Sequence, residues 1–144
     1  MKKTLLYVED NEDHAHILEL TLRKLDLSIN LKWVKTGEEA LEYLKARSIN
    51  KNSMGELPDL IIIDLKLTKM NGFGLIKKIK IDENLKLIPV VVLTSSEDPL
   101  DINTAYRNYA NSYIAKSIET SMYRKQIESV INYWMEISSP PQMG

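Results

Sequence analysis

Pro58-Asp59-Leu60-Ile61-Ile62-Ile63-Asp64-Leu65 decides how the rest of the chain is read. Four consecutive apolar residues stand between Asp59 and Asp64, and a polar loop leads on to Asn71-Gly72. A short, β-branched apolar run bounded by turn signals reads as a buried strand. Asp64 then sits at the C-terminal tip of a central strand, the edge at which open α/β sheets bind ligands. A second run, Leu5-Leu6-Tyr7-Val8, ends in Glu9 and Asp10 in the same way. If the two strands are neighbours, three carboxylates meet at one point and call for a cation.

Strand-like and helix-like patterns alternate on either side of this stretch. Residues 4–9, 29–34, 59–64, 88–94 and 112–115 read as strands, and 13–26, 37–47, 72–81, 99–110 and 119–137 as helices. The first helix carries Ile17, Leu18, Leu22 and Leu25 at spacings of three and four, and the last carries Ile127, Val130, Ile131 and Trp134. Thr36 is placed to cap the second helix. The polar segment from Arg47 to Leu57 reads as a loop, long for a domain of this size. Five βα units imply a parallel, doubly wound α/β sheet with helices on both faces. Right-handed crossovers restrict the strand order, expected to be 2-1-3-4-5. That order sets the tips of the first and third strands side by side at the topological switch point.

A chain of 144 residues makes one ordinary domain. Its net charge is −1 with acids and bases interspersed, which argues against a nucleic-acid or membrane-surface binder. There is no cysteine, so disulfides, thiol catalysis and cysteine-ligated metals are excluded. No apolar stretch reaches the roughly 18 residues needed to span a bilayer. The run behind Met1-Lys2-Lys3 is too short for a signal peptide, and a cytoplasmic protein is expected.

Glu9, Asp10 and Asp64 cannot all stay ionised at close range unless a cation joins them. Hard oxygen ligands suit Mg2+, or Mn2+ in its place. Glu9 to Asp13 has a plainer reading, a solvated helix start favoured by the dipole, but that leaves the acid ending a second buried strand unexplained. Asp64 can do more than ligate: a carboxylate can attack phosphorus and carry the phosphoryl group as an acyl phosphate, with a metal offsetting the developing charge. Thr94 ends the fourth strand with a hydroxyl, and Lys116 ends the fifth with a mobile cation.

V-E-D-N at 8–11, P-D-L-I-I-I-D-L at 58–65, N-G at 71–72, V-V-V-L-T at 90–94 and Y-I-A-K-S at 113–117 together resemble the receiver domain of two-component response regulators. The resemblance spans nearly the whole chain. It implies a flavodoxin-like (βα)5 three-layer sandwich over 1–138, a flexible tail over 139–144 and no effector domain. It implies that Asp64 is the phosphoacceptor, that Glu9, Asp10, Asp64 and the Lys66 backbone carbonyl hold the metal, and that Thr94 and Lys116 bind the phosphoryl oxygens. Tyr113 would be the aromatic switch that turns inward when Thr94 moves. The protein would be a switch rather than an enzyme. Its partners would be a sensor histidine kinase or phosphotransfer protein and a downstream protein target, with no direct nucleic acid and no membrane. Phosphorylation would repack the face formed by the helix at 99–110, the strand at 112–115 and the last helix. Tyr133 and Trp134 suggest homodimerisation through the same 99–137 face. Glu9 departs from the commoner aspartate, Thr68 stands where a proline is frequent, and Ser117 follows Lys116 where proline is usual. A non-proline cis bond costs about 2.5–4 kcal/mol, so the Lys116–Ser117 bond is expected trans. Ser117, the segment at 47–57 and the late Tyr-Trp are similar to stand-alone regulators found with bacteriophytochromes.

Two other functions compete. An aspartyl-nucleophile phosphatase would use D-x-D-x-[TV] after the first strand, but Lys66 replaces the second acid in Asp64-Leu65-Lys66-Leu67-Thr68. A flavin-binding module would need a hydroxyl-rich phosphate loop where Glu9 to Asp13 is acidic. His14 and His16 lie two apart, cannot chelate one metal from a regular helix and are expected at the surface. Gly72 and Gly74 lack the rest of a dinucleotide fingerprint and suggest turn geometry.

Overall fold

Five parallel strands form one sheet in the order β2-β1-β3-β4-β5. The computed structural model describes residues 2–49, 57–67 and 70–141. Along the chain these are β1 (Lys3–Val8), α1 (Glu12–Lys24), β2 (Ile29–Val34), α2 (Gly37–Ile49), β3 (Leu60–Ile63) and α3 (Gly72–Ile81). Then follow β4 (Val90–Thr94), α4 (Pro99–Arg107), β5 (Ser112–Ala115), α5 (Thr120–Ile131) and a π-helical segment, Asn132–Ile137. Residues 47–49 of the expected long loop complete α2; 50–56, Thr68 and the end of the tail, 142–144, lie outside the described residues.

The period-two geometry of a strand sends successive side chains to opposite faces, and two cores result. Leu6, Val8, Ile61, Ile63, Val90 and Val92 face α2 and α3 through Leu41, Leu44, Leu75, Ile76 and Ile79. Leu5, Tyr7, Leu60, Ile62, Val91 and Leu93 face α1 and α5 through Leu18, Leu22, Tyr123, Ile127 and Ile131. Burying each such aliphatic side chain contributes about 1.5–3 kcal/mol, which explains why near-continuous apolar strands mark this architecture.

Element ends depart from the sequence reading for local reasons. β4 begins at Val90 rather than at residue 88, because Pro89 has no N–H and the Ile88 N–H turns back to Leu85 O. α1 stops at Lys24 and α4 at Arg107, and left-handed residues follow each, Asp26 (φ 53°) and Tyr109 (φ 70°). The last helix is α-helical only to Ile131; its final turn widens, with Ser138 N–H reaching Tyr133 O at 2.7 Å and Met135 buried. The Lys3 ammonium takes the Met135 carbonyl.

The helix starts are specified by capping side chains, which satisfy otherwise unpaired N–H groups. Asn11 accepts from His14 N–H at 3.0 Å, Thr36 from Glu39 N–H at 3.1 Å and Asn71 from Gly74 N–H at 2.9 Å. Gly72 owes its place to close approach rather than to an unusual φ. A Cβ there would lie 2.6 Å from Leu65 Cα and 2.7 Å from Asp64 O, while no glycine has a positive φ among the described residues. This contact, with Gly72 N–H on Leu65 O at 3.0 Å, seats α3 directly against the Asp64 loop.

Candidate functional site

Register brings the strand tips together. Val8 pairs with Ile63 and Ile63 with Val92, so Glu9 and Asp64 emerge side by side; Thr94 pairs with Ala115, so Lys116 emerges beside them. Glu9 and Thr94 are wholly buried, and Asp64 and Lys116 nearly so. Asp64 Oδ1 accepts from Thr94 Oγ1 at 2.8 Å and from Lys66 N–H at 3.1 Å, while Oδ2 accepts from Lys116 Nζ at 3.0 Å. Glu9 Oε1 accepts from the same ammonium and from Tyr7 OH at 3.0 Å. Among the described residues no buried side-chain polar atom lacks a partner.

The expected site residues fall out as follows. Glu9, Asp64, Thr94 and Lys116 form one connected cluster. Asp10 follows Glu9 and is half-buried. Lys66 is exposed, and its ammonium reaches Ser95 Oγ at 3.4 Å. Tyr113 lies outside the cluster: its ring packs on the α2–α3 core and its hydroxyl donates to Ser96 O at 2.8 Å. Every described peptide bond is trans, the Lys116–Ser117 bond included.

The surface reading of the two histidines needs correction. His16 is exposed, but His14 is not a plain surface histidine: its Nδ1 lies 2.8 Å from Lys116 Nζ and 3.6 Å from Glu9 Oε1. The Asn11 cap makes His14 the third helical residue, and helical side chains lean toward the N-terminus, here toward the site. Tyr7 and Tyr123 were also passed over. Tyr7 could have been found, since it lies two residues before Glu9 and so on the same face; Tyr123 arrives from α5, which no local pattern announces.

The electrostatics separate the two buried carboxyls. Burial, with the neighbouring Asp64 charge, pushes Glu9 up to about 7. Burial would raise Asp64 as well, but hydrogen bonding with the Glu9 carboxyl, the Lys116 ammonium and the Lys66 N–H together hold it below its ordinary value. Burial works against charge on Lys116, yet Glu9 and Asp64 override it and raise its pKa. Asp64 is therefore an ionised carboxylate at pH 7, with a hydroxyl on one oxygen and an ammonium on the other. As the side chains stand, no three His, Asp or Glu side chains among the described residues converge on one metal position. The Lys116 ammonium bridges Glu9 and Asp64, supplying the positive charge that two buried acids require. The donor set fits a hard divalent cation, since both acids are buried and offer oxygens only.

A parallel sheet in this order, with paired acids, a hydroxyl and a lysine at its carboxyl edge, defines a receiver. The family model for the response regulator receiver domain matches residues 5–128, and the chain belongs to that family. Receivers are signalling switches of two-component systems that work with a divalent metal, sensor kinases and downstream targets. The chain is 33% identical over 137 residues to "Probable methanogenesis regulatory protein FilR2" of Methanothrix harundinacea, covering 95% of this chain and 86% of that one. Among solved structures it is similar to the phosphorylated cyanobacterial phytochrome response regulator RcpA, with TM-score 0.90, 31% identity and coverage of 99% and 100%. It is also similar to the Mn2+-bound form of response regulator Rcp1, with TM-score 0.88, 30% identity and coverage of 97% and 99%. Among the described residues, no helix is long and apolar enough to cross a membrane.

Proposed function

We propose that Asp64 accepts a phosphoryl group from a sensor histidine kinase or phosphotransfer protein, and that the acyl phosphate switches this protein's contacts with a downstream target. The observation that carries the reading is the state of Asp64: ionised, buried at the sheet edge, with Thr94 and Lys116 on its two oxygens. A carboxylate oxygen attacks phosphorus, the bond to the donor breaks, and its electron pair leaves with the donor. Thr94 Oγ and Lys116 Nζ, already within hydrogen-bond reach of the nucleophile, take the transferred oxygens. Mg2+ held by Glu9, Asp10, Asp64 and the Lys66 carbonyl would neutralise charge on the phosphoryl group. That Rcp1 binds Mn2+ and RcpA is phosphorylated supports this assignment.

The same chemistry allows slow self-phosphorylation from small donors and self-dephosphorylation. Tyr113 is the element that reads the site, since its hydroxyl holds the loop after β4 through Ser96 O. The responding face carries exposed Leu100, Tyr106, Ile118, Met122 and Tyr133, which suits a protein partner or a second copy. Such a switch acts in the cytoplasm through protein contacts.

Incubation with Mg2+ and acetyl phosphate is expected to give an acid-stable, base-labile adduct on Asp64. An Asp64→Asn chain that still takes the label refutes the assignment. A mass in solution that stays monomeric at high concentration, with and without beryllofluoride, removes the homodimer.

A further inference from the structure

An ammonium has three N–H donors, and on Lys116 all three are taken: by Glu9 Oε1, by Asp64 Oδ2 at 3.0 Å and by His14 Nδ1 at 2.8 Å. Two acceptors are acids at the sheet edge; the third comes from α1. Because a charged lysine cannot accept, the imidazole must present the Nδ1 lone pair and carry its proton on Nε2.

The surrounding contacts close on themselves. The His14 ring meets the Tyr123 ring edge-on at 5.3 Å between centroids, and Lys116 Nζ lies 5.8 Å from the Tyr123 centroid. Tyr123 OH is 3.4 Å from Tyr7 OH, Tyr7 OH donates to Glu9, and Glu9 returns to Lys116. Five side chains from β1, the loop behind it, α1, α5 and the end of β5 form one ring, and Tyr123 packs edge-on against the imidazole. A neutral acceptor has a property that the ionised Asp64 lacks. It fixes the direction of the ammonium without neutralising the charge that a phosphoryl group must find there.

We propose that His14 is a positioning residue for Lys116: its Nδ1 accepts one ammonium N–H and so holds the ammonium facing Asp64, ready for the phosphoryl oxygens. The assignment rests on the phosphoacceptor reading of Asp64. It concerns a residue that touches the lysine, not the reacting atoms.

Two measurements test it. Long-range 1H–15N spectra of the metal-free full chain at pH 7.5 are expected to show His14 as the Nε2–H tautomer; an Nδ1–H tautomer or an imidazolium overturns the proposal. Labelling by acetyl phosphate with Mg2+ is expected to slow about tenfold in His14→Leu, the scale of one hydrogen bond to a charged group. His14→Asn, which restores a neutral acceptor, regains most of that rate. With Lys116→Ala already in place, His14→Leu is expected to cost nothing further. A His14→Leu chain that labels at the wild-type rate, or that loses the same factor without Lys116, overturns the proposal. A wild-type chain that takes no label refutes the phosphoacceptor reading instead, and the tautomer then decides the geometry of His14 alone.

Discussion

Glu9 and Asp64 face one ammonium and shift in opposite directions, because burial and the Asp64 charge push Glu9 up while hydrogen bonding with Glu9, the Lys116 ammonium and the Lys66 N–H hold Asp64 down. Asp64 has a hydroxyl, a backbone N–H and the ammonium, and Glu9 is wholly buried. This has a consequence for stability in a chelating buffer. The folded state holds a proton on Glu9 up to about pH 7, whereas the unfolded chain releases it near 4.5. Between those values the folded state binds more protons, so stability falls as pH rises. The Glu9 contribution is fully present below 4.5 and is lost on passing 7. Asp64 has the opposite sign: its folded pKa lies below 3.8, so its contribution holds above that value and is lost under it. Urea denaturation in EDTA is expected to show wild-type stability declining from pH 6.5 to pH 8, above the range in which the lowered pKa of His14 contributes the opposite slope. In Glu9→Gln the slope flattens and stability at pH 8 exceeds wild type, by on the order of 1–3 kcal/mol. Identical slopes in the two chains would sink the assignment of the buried proton to Glu9.

At the scale of elements, α3 owes its seat to one missing methyl. A Cβ on Gly72 meets two backbone atoms that cannot rotate away, while a Cβ on Gly74 finds nothing nearer than Asn71 Oδ1 at 3.6 Å. Gly72→Ala is therefore expected to lose about 3 kcal/mol in urea denaturation, the upper part of the overpacking range, and to slow labelling of Asp64 by displacing its loop. Gly74→Ala is expected to be neutral or stabilising by up to about 1 kcal/mol, since alanine suits a helix. Equal losses in both would mean that turn geometry, not close approach, selected the glycines. The contrast shows what the sequence could carry. The runs at 60–63 and 90–93 declared buried parallel strands, and strand tips declared Glu9, Asp64, Thr94 and Lys116, because apolar periodicity and its end are local. The role of Gly72 depends on the backbone of a residue seven positions away. His14 and Tyr123 depend on how α1 and α5 pack against a lysine from β5, which no spacing within either helix encodes. The widened turn at Asn132–Ile137 was hidden because Val130, Ile131, Trp134 and Met135 still lie on one apolar stripe whichever way the turn is wound.

At the scale of the molecule, the parallel sheet makes its two ends chemically unlike. All five carboxyl ends lie at the edge that bears the acids, and all five amino ends lie at the opposite edge. The chain's two tryptophans divide between them. Trp33 Nε1 donates to Glu9 O at 2.7 Å, so its indole is bonded directly to the loop that bears the acids. Trp134 stacks edge-on with Tyr133 at 5.1 Å and lines a cavity of about 280 Å3 with Lys3, Asp59 and the chain at Ser139–Pro141. Lys3 begins β1 and Glu9 follows its end, a separation of about 20 Å at 3.3 Å per residue. The two indoles therefore report on opposite poles. Adding Mg2+ and then acetyl phosphate is expected to change tryptophan emission in wild type and in Trp134→Phe, and to leave Trp33→Phe nearly silent. Both single-tryptophan chains should nonetheless unfold in urea at midpoints that match their own circular dichroism, because the two cores share every β-strand and cannot melt apart. A response carried by Trp134 alone would place the ligand at the amino edge and take the acids at the other pole out of the reaction.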